Sequence, residues 1–265
     1  MSILLLKLFL APVLVVASTL AGRRWGPSVT GVLVGLPVVA GPILLISYLQ
    51  HGAAFISDAA VSCLLGLVSI AAFAVVFSHV GRRFGWFATL TTSWTVVLAV
   101  DFALSLLAPV TALVAVGLTI AATGAAMILM PSSEPHRSDA PPPSLPSWDL
   151  PSRAVATAVL VFAVTTASGA LGPNWTGLLA PFPTAISVVA TFAHAQCGPA
   201  ATARTLSGAV LSLFSFATFC LSVALLVRPI GGAAFLIGAV VTSAVQVLVM
   251  RTRTTLHDRR STLQA

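Results

Sequence analysis

Apolar residues in this chain run in blocks of roughly 20, the length that carries an α-helix across the hydrocarbon of a bilayer, and polar residues collect in the gaps between blocks. The blocks predict nine spans, at 3–21, 27–48, 55–80, 86–107, 110–130, 154–171, 174–195, 203–227 and 230–250. Only one gap is long. Residues 131–153 are rich in Pro and Ser and too polar to insert, which predicts an extended cytoplasmic linker. Residues 251–265 follow the last block as a basic tail. The first block has the length of a signal peptide but no basic n-region, and its only early charge, Lys7, lies inside the apolar run. It is expected to stay as a helix.

The blocks are also not independent of one another. Gly26 to Phe73 returns 146 residues later as Gly172 to Phe219, with 14 identities over 48 ungapped positions, among them Gly26/Gly172, Pro27/Pro173, Thr30/Thr176, Gly31/Gly177, Pro37/Pro183, Gln50/Gln196, Gly52/Gly198 and Ser69/Ser215. In so apolar a composition chance gives about a third of that, so the chain reads as a tandem duplication. The offset is five spans, an odd number, which reverses the second copy across the membrane. The expected fold is therefore an all-α polytopic membrane protein with two inverted four-helix repeats, residues 1–108 and 154–250, and a linking helix at 109–130.

Composition agrees with this class and excludes others. With 58% hydrophobic and 7% charged residues and a mean hydropathy of +1.05, the chain lies outside the range of soluble domains. A net charge of +7 raises nucleic acid as a partner, but the basic residues are scattered through short loops and form no patch, so none is expected. Arg23, Arg24, Arg82, Arg83, Arg137, Arg153, Arg204 and the tail arginines all fall on one side of a nine-span chain, while Arg228 falls on the other. By the positive-inside rule this predicts a multi-pass protein of the cell (inner) membrane, with the N-terminus outside and the C-terminus cytoplasmic. Cys63, Cys197 and Cys220 lack the close pairing of metal or redox sites. No nucleotide, cofactor, metal or hydrolase motif stands in a usable context.

Chemistry is expected where the apolar runs are broken at matching places. Pro37, Gly41 and Pro42 interrupt span 2, and Pro181 and Pro183 interrupt span 7. Backbone groups freed there suit a small polar or anionic ligand, with Thr30, Thr176, Asn174 and Ser187 as side-chain donors; a pair of packing kinks is the bland alternative. Asp101 is the only acidic residue well inside a span, on a stripe with Thr91, Trp94 and Leu98. Two readings stand for it: a proton-coupling carboxylate, or a structural ion pair with Lys7. Lys7, aligned with Arg153, also reads as a helix-end cation that snorkels to the headgroups. His194, aligned with Tyr48, is either a gate or relay or an interfacial anchor. Trp25, Trp86 and Trp175 read as belt residues.

The pattern resembles the general plan of secondary carriers built from inverted repeats with discontinuous helices, without any motif of one family. It implies a carrier or exporter of a small metabolite working by alternating access, with proton coupling through Asp101. The alternative is a lipid-linked function, translocation of a lipid carrier or membrane assembly, in a groove between the repeats. Intramembrane catalysis finds no paired carboxylates, His cluster or Ser/His set to use.

Overall fold

The computed structural model describes residues 2–37, 40–106, 110–131, 146–171 and 182–262, with side chains described for most of them. Among these residues there are helices and no strands: α1 (Ser2–Trp25), α2 (Pro27–Gly35), α3 (Ala40–Val80), α4 (Trp86–Ser105), α5 (Ala112–Leu129), α6 (Asp149–Leu171), α7 (Thr184–Ile230) and α8 (Ala233–Thr262). Five stretches, Leu8–Trp25, Pro27–Val80, Trp86–Ser105, Ala112–Leu129 and Thr184–Ile230, are long and apolar enough to cross a membrane. Large apolar side chains such as Phe87, Leu113, Ile128, Val159 and Leu236 face outward. That surface would be a liability in water and carries no such cost in lipid.

Element ends repeat at the offset of the sequence duplication. Adding 146 to the bounds of α1, α3 and α4 gives 148–171, 186–226 and 232–251, close to α6 and α7 and to the start of α8, which runs on to Thr262. The breaks repeat as well. Gly52 interrupts α3 at φ 82°, ψ −179°, and its counterpart Gly198 interrupts α7 at φ 78°, ψ 179°. Only glycine occupies that region without strain. Upstream, Gly26 at φ 102° ends α1, and Pro27 opens α2 at a position where its missing N–H costs nothing. α2 stops at Gly35 because Leu36 precedes Pro37 and is pushed into extended backbone, ψ 153°. Span 2 is thus two half-helices, as its proline anticipates.

Side-chain partners give the course of the chain. Ser28 Oγ donates to the Arg204 carbonyl, Gly31 lies against Thr205, Gly35 against Ser212, Gly41 beside Phe219 and Tyr48 beside Gly231. α2 and the first limb of α3 therefore run alongside the second limb of α7 in the same direction. At Gly52 the chain turns back. Ser57 Oγ donates to the Ala224 carbonyl, Asp58 pairs with Arg228, and the Cys63 and Cys220 thiols meet, so the second limb of α3 runs opposite to its own repeat counterpart. These two limbs carry the core, with Ile56, Leu64, Leu67, Phe73, Phe77, Leu206, Val210, Leu213 and Val223 fully buried. α1 and α6, also counterparts, pack on each other, and α5 rests on α3 and α7.

The close approach of α2 to α7 depends on glycine. A Cβ on Gly31 would fall 1.7 Å from the Thr205 carbonyl oxygen, one on Gly35 1.9 Å from Ser212 Oγ, and one on Gly208 2.1 Å from the Ser28 carbonyl oxygen. Gly31 and Gly35 form a GxxxG step, the spacing that lets two backbones touch in lipid.

Candidate functional site

A cavity of about 420 Å³ opens where elements of both repeats meet, within the size range of small-molecule sites. Its wall is built by Thr19, Gly22 and Arg23 at the end of α1, Gly26, Pro27 and Thr30 at the start of α2, Arg153 on α6, and Val189, Ala193, Cys197, Ala201 and Thr205 on either side of the Gly198 break. Spacing of four along each limb of α7 puts those five residues on the faces turned toward the cavity. Thr30 is buried as a residue, and its hydroxyl lies against Gly22 with no hydrogen-bond partner among the described residues.

The charged part of the wall hangs on one carboxylate. Asp149, fully buried, accepts from Arg23 Nη2 at 2.7 Å through Oδ2, and from Arg153 Nε at 2.9 Å and Gln196 Nε2 at 2.6 Å through Oδ1. Burial works against its charge, but the hydrogen bonds from Gln196, Arg153 and Arg23 outweigh that and hold the carboxyl below the usual aspartate range. Arg153 also donates from Nη2 to Gln196 Oε1 at 3.0 Å and lies over the Phe192 ring at 4.9 Å. Its Nη1 has no partner among the described residues. Two guanidiniums against one carboxylate leave the wall one positive charge in excess.

This cluster departs from one expectation. Residues 146–153 are not extended linker: a turn leads into α6 at Asp149, five residues before the expected start, because Asp149 is anchored by three donors. The Arg153 side chain is buried in that network. Asp149 was hidden by its Pro/Ser-rich neighbourhood, although an acid in a first turn, Pro151 beside it and an i,i+4 acid–base pair are all helix-start signals.

The other anticipated residues are dispersed. Thr30 lines the cavity, whereas Pro37 follows α2, Gly41 lies beside Phe219 in the first turn of α3 and Pro42 is exposed, none of them in that wall. Pro183 is buried just before α7, and Ser187 Oγ accepts from Trp94 Nε1 at 3.0 Å while Phe182 packs edge-on to Trp94. Asn174, Thr176, Pro181 and Trp175 lie outside the described residues, as does the side chain of Lys7. His194 Nε2 is 2.8 Å from the Gly81 carbonyl oxygen, and its ring meets Phe77 edge-on. Trp25 and Trp86 are exposed.

Asp101 is buried, and Ser69 Oγ donates to its Oδ1, while Oδ2 has no partner among the described residues. The buried face of α4 is Thr89, Ser93, Val97 and Asp101, not the anticipated stripe: Thr91 and Leu98 are exposed. The second repeat has a related pair that sequence reading missed. Ser215, counterpart of Ser69, donates to Gln246 Oε1 at 2.6 Å, and Gln246 Nε2 has no partner among the described residues. Gln246 lies one position from the counterpart of Asp101, and an uncharged amide in an apolar helix was the available signal.

The same contacts gather the basic residues. Arg23 and Arg153 share Asp149, Arg204 is bonded by Ser28, and Arg82 and Arg83 follow the Gly81 that meets His194, all at the end of the bundle where the cavity opens. The far end carries Asp58 with Arg228. No protein-family model, no curated protein and no solved structure matches the chain, so the bearing on function is that of the site itself.

Proposed function

We propose that this protein is a secondary carrier of a small metabolite, built as two inverted repeats that open one central site alternately to the two sides of the membrane. The observation that carries the reading is the cavity formed jointly by α1 and α2 of one repeat and α6 and α7 of the other, beside a helix break whose twin recurs at the repeat offset. Substrate sites of inverted-repeat carriers lie at the repeat interface, next to interrupted helices. The antiparallel course of the second limbs of α3 and α7 supports the inverted arrangement. Nine traverses, with the basic end in the cytoplasm, follow from the loop charges.

Pseudosymmetry turns this into a test. Where the present cavity has Ala193, Cys197 and Thr205, the first repeat has Ser47, His51 and Ala59. In a carrier, exchange of the two repeat conformations closes the first set and opens the second. In oriented vesicles, a membrane-impermeant maleimide should reach Cys197 from the cytoplasmic side and Ser47→Cys from the outer side. Conditions that slow one reaction should speed the other, as read by mass spectrometry of the two peptides. Labelling of both thiols that never changes in opposite directions removes alternating access.

A further inference from the structure

We infer that the cavity binds a small oxyanion carrying an apolar body, its charged head held between Arg23, Arg153 and Thr30 and its body laid along Val189 and Ala193. The inference rests on reading the cavity as the carrier's site and adds the chemical class of its occupant.

Charge and unspent donors in the wall point the same way. Arg23 and Arg153 face a single carboxylate, so the wall keeps one positive charge in excess, with the Arg153 side chain buried and that of Arg23 35% exposed. Asp149 does not fill the cavity; it ties both guanidiniums from one side, engaging Arg153 through Nε and Arg23 through one Nη2. That fixes their planes and leaves Arg153 Nη1 and the remaining Arg23 nitrogens for a second acceptor. A guanidinium offers paired N–H groups that fit the two oxygens of a carboxylate or phosphate. Thr30, a buried residue whose hydroxyl has no hydrogen-bond partner among the described residues, adds a donor against Gly22, beside Arg23, at the N-terminal turn of α2, where the helix dipole also favours negative charge. Cations meet the wrong sign here. A purely polar anion would leave Val189, Ala193, Ala201 and Pro27 facing water.

The head is either that of a soluble organic acid or the phosphate of an anionic lipid, and Cys197 in the cavity wall separates the two. Cys197 is exposed, whereas Cys220 is buried, so its alkylation by N-ethylmaleimide, followed on its own peptide in the purified full-length protein, reports occupancy. Hexanoate at about ten times its dissociation constant should slow the reaction about tenfold, and the neutral hexanamide should not. If dioleoylphosphatidylglycerol protects and hexanoate does not, the oxyanion head stands and its source is lipid. Arg23→Gln removes one guanidinium and leaves the Asp149–Arg153–Gln196 network, so it should keep the melting temperature and lose protection. Thr30→Val, of the same shape, should weaken protection too. Equal protection by hexanoate and hexanamide, unchanged protection in a folded Arg23→Gln protein, or protection by none of the anions overturns the inference. Uptake into proteoliposomes is measured in parallel: protection without uptake removes the carrier reading and leaves the site, whereas uptake of a neutral or cationic solute without anion protection does the reverse.

Discussion

Asp149 and Asp101 are two buried carboxylates with opposite surroundings, and the contrast decides what each substitution should do. Asp149 neutralises Arg153, so Asp149→Asn leaves a buried guanidinium without a counter-charge and should cost about 3–5 kcal/mol of stability, read as a lower midpoint in a denaturing-detergent titration. The folded value of Asp149 lies below its ordinary 3.8. Its contribution is therefore complete above pH 3.8 and is lost as the pH falls from there through the lowered value, so the gap between wild type and variant should close on that acid limb. Asp101, in contrast, has no ion-pair partner among the described residues and accepts from a serine. The other repeat sets a neutral carboxamide, Gln246, against the equivalent serine. Asp101→Asn should accordingly fold with nearly unchanged stability. If Asp101 carries the coupled proton, the variant should lose pH-driven uptake in proteoliposomes while keeping solute exchange; full pH-driven uptake would take Asp101 out of the mechanism. Asp101 was legible because a lone acid in an apolar run is conspicuous. Its serine partner was legible only as a repeated position, since which face of α4 turns inward is set by packing on α3.

Within single elements the glycines divide by what a Cβ would strike. Gly31→Ala puts a methyl into the Thr205 carbonyl, which belongs to a backbone that cannot turn aside, and should destabilise by about 1–3 kcal/mol or more as α2 is levered off α7. Gly117 and Gly124 on α5 face open space, so alanine there should be neutral or slightly stabilising, by up to about 1 kcal/mol. Equal melting temperatures for Gly31→Ala and Gly117→Ala would mean that α2 is not clamped as described. The interruption at Pro37 could be read from sequence because proline acts through local sterics on the residue before it. Gly52 and Gly198 lie in the gaps 49–54 and 196–202 between expected spans, so a turn at each was legible, but their backbone angles were not, because a glycine's angles are chosen by the packing on either side of it. The joint wall of the cavity was the least legible feature. It draws on two parts of the chain more than a hundred residues apart, and among its residues only Thr30 stood out as a ligand donor.

At the scale of the whole molecule the two copies are interleaved, and that has a consequence for how the chain must assemble. α2 and the first limb of α3 lie along the second limb of α7, the second limb of α3 runs against the same element, and α1 packs on α6. Little of the core therefore belongs to one repeat. The fully buried Phe73, Phe77 and Leu67 come from the first copy and Leu206, Leu213 and Val223 from the second, within one cluster. A repeat made alone would leave Gly31 and Gly35 with no backbone to meet and Ser57 without its acceptor at Ala224. The recurrence of identities at an offset of 146 was plain in the sequence, but interleaving was not, since side-by-side segments would leave the same identities at the same offset. Cutting the chain within the Pro/Ser-rich stretch at residue 138 tests the difference. Neither fragment, 1–138 or 139–265, should accumulate when expressed by itself, whereas the two expressed together should copurify and regain cysteine protection at Cys220. Two fragments that each fold, purify and resist proteolysis alone would mean that each repeat closes its own core. The carrier reading would then fail with the geometry, because a cavity shared between repeats can alternate only if both repeats build its walls.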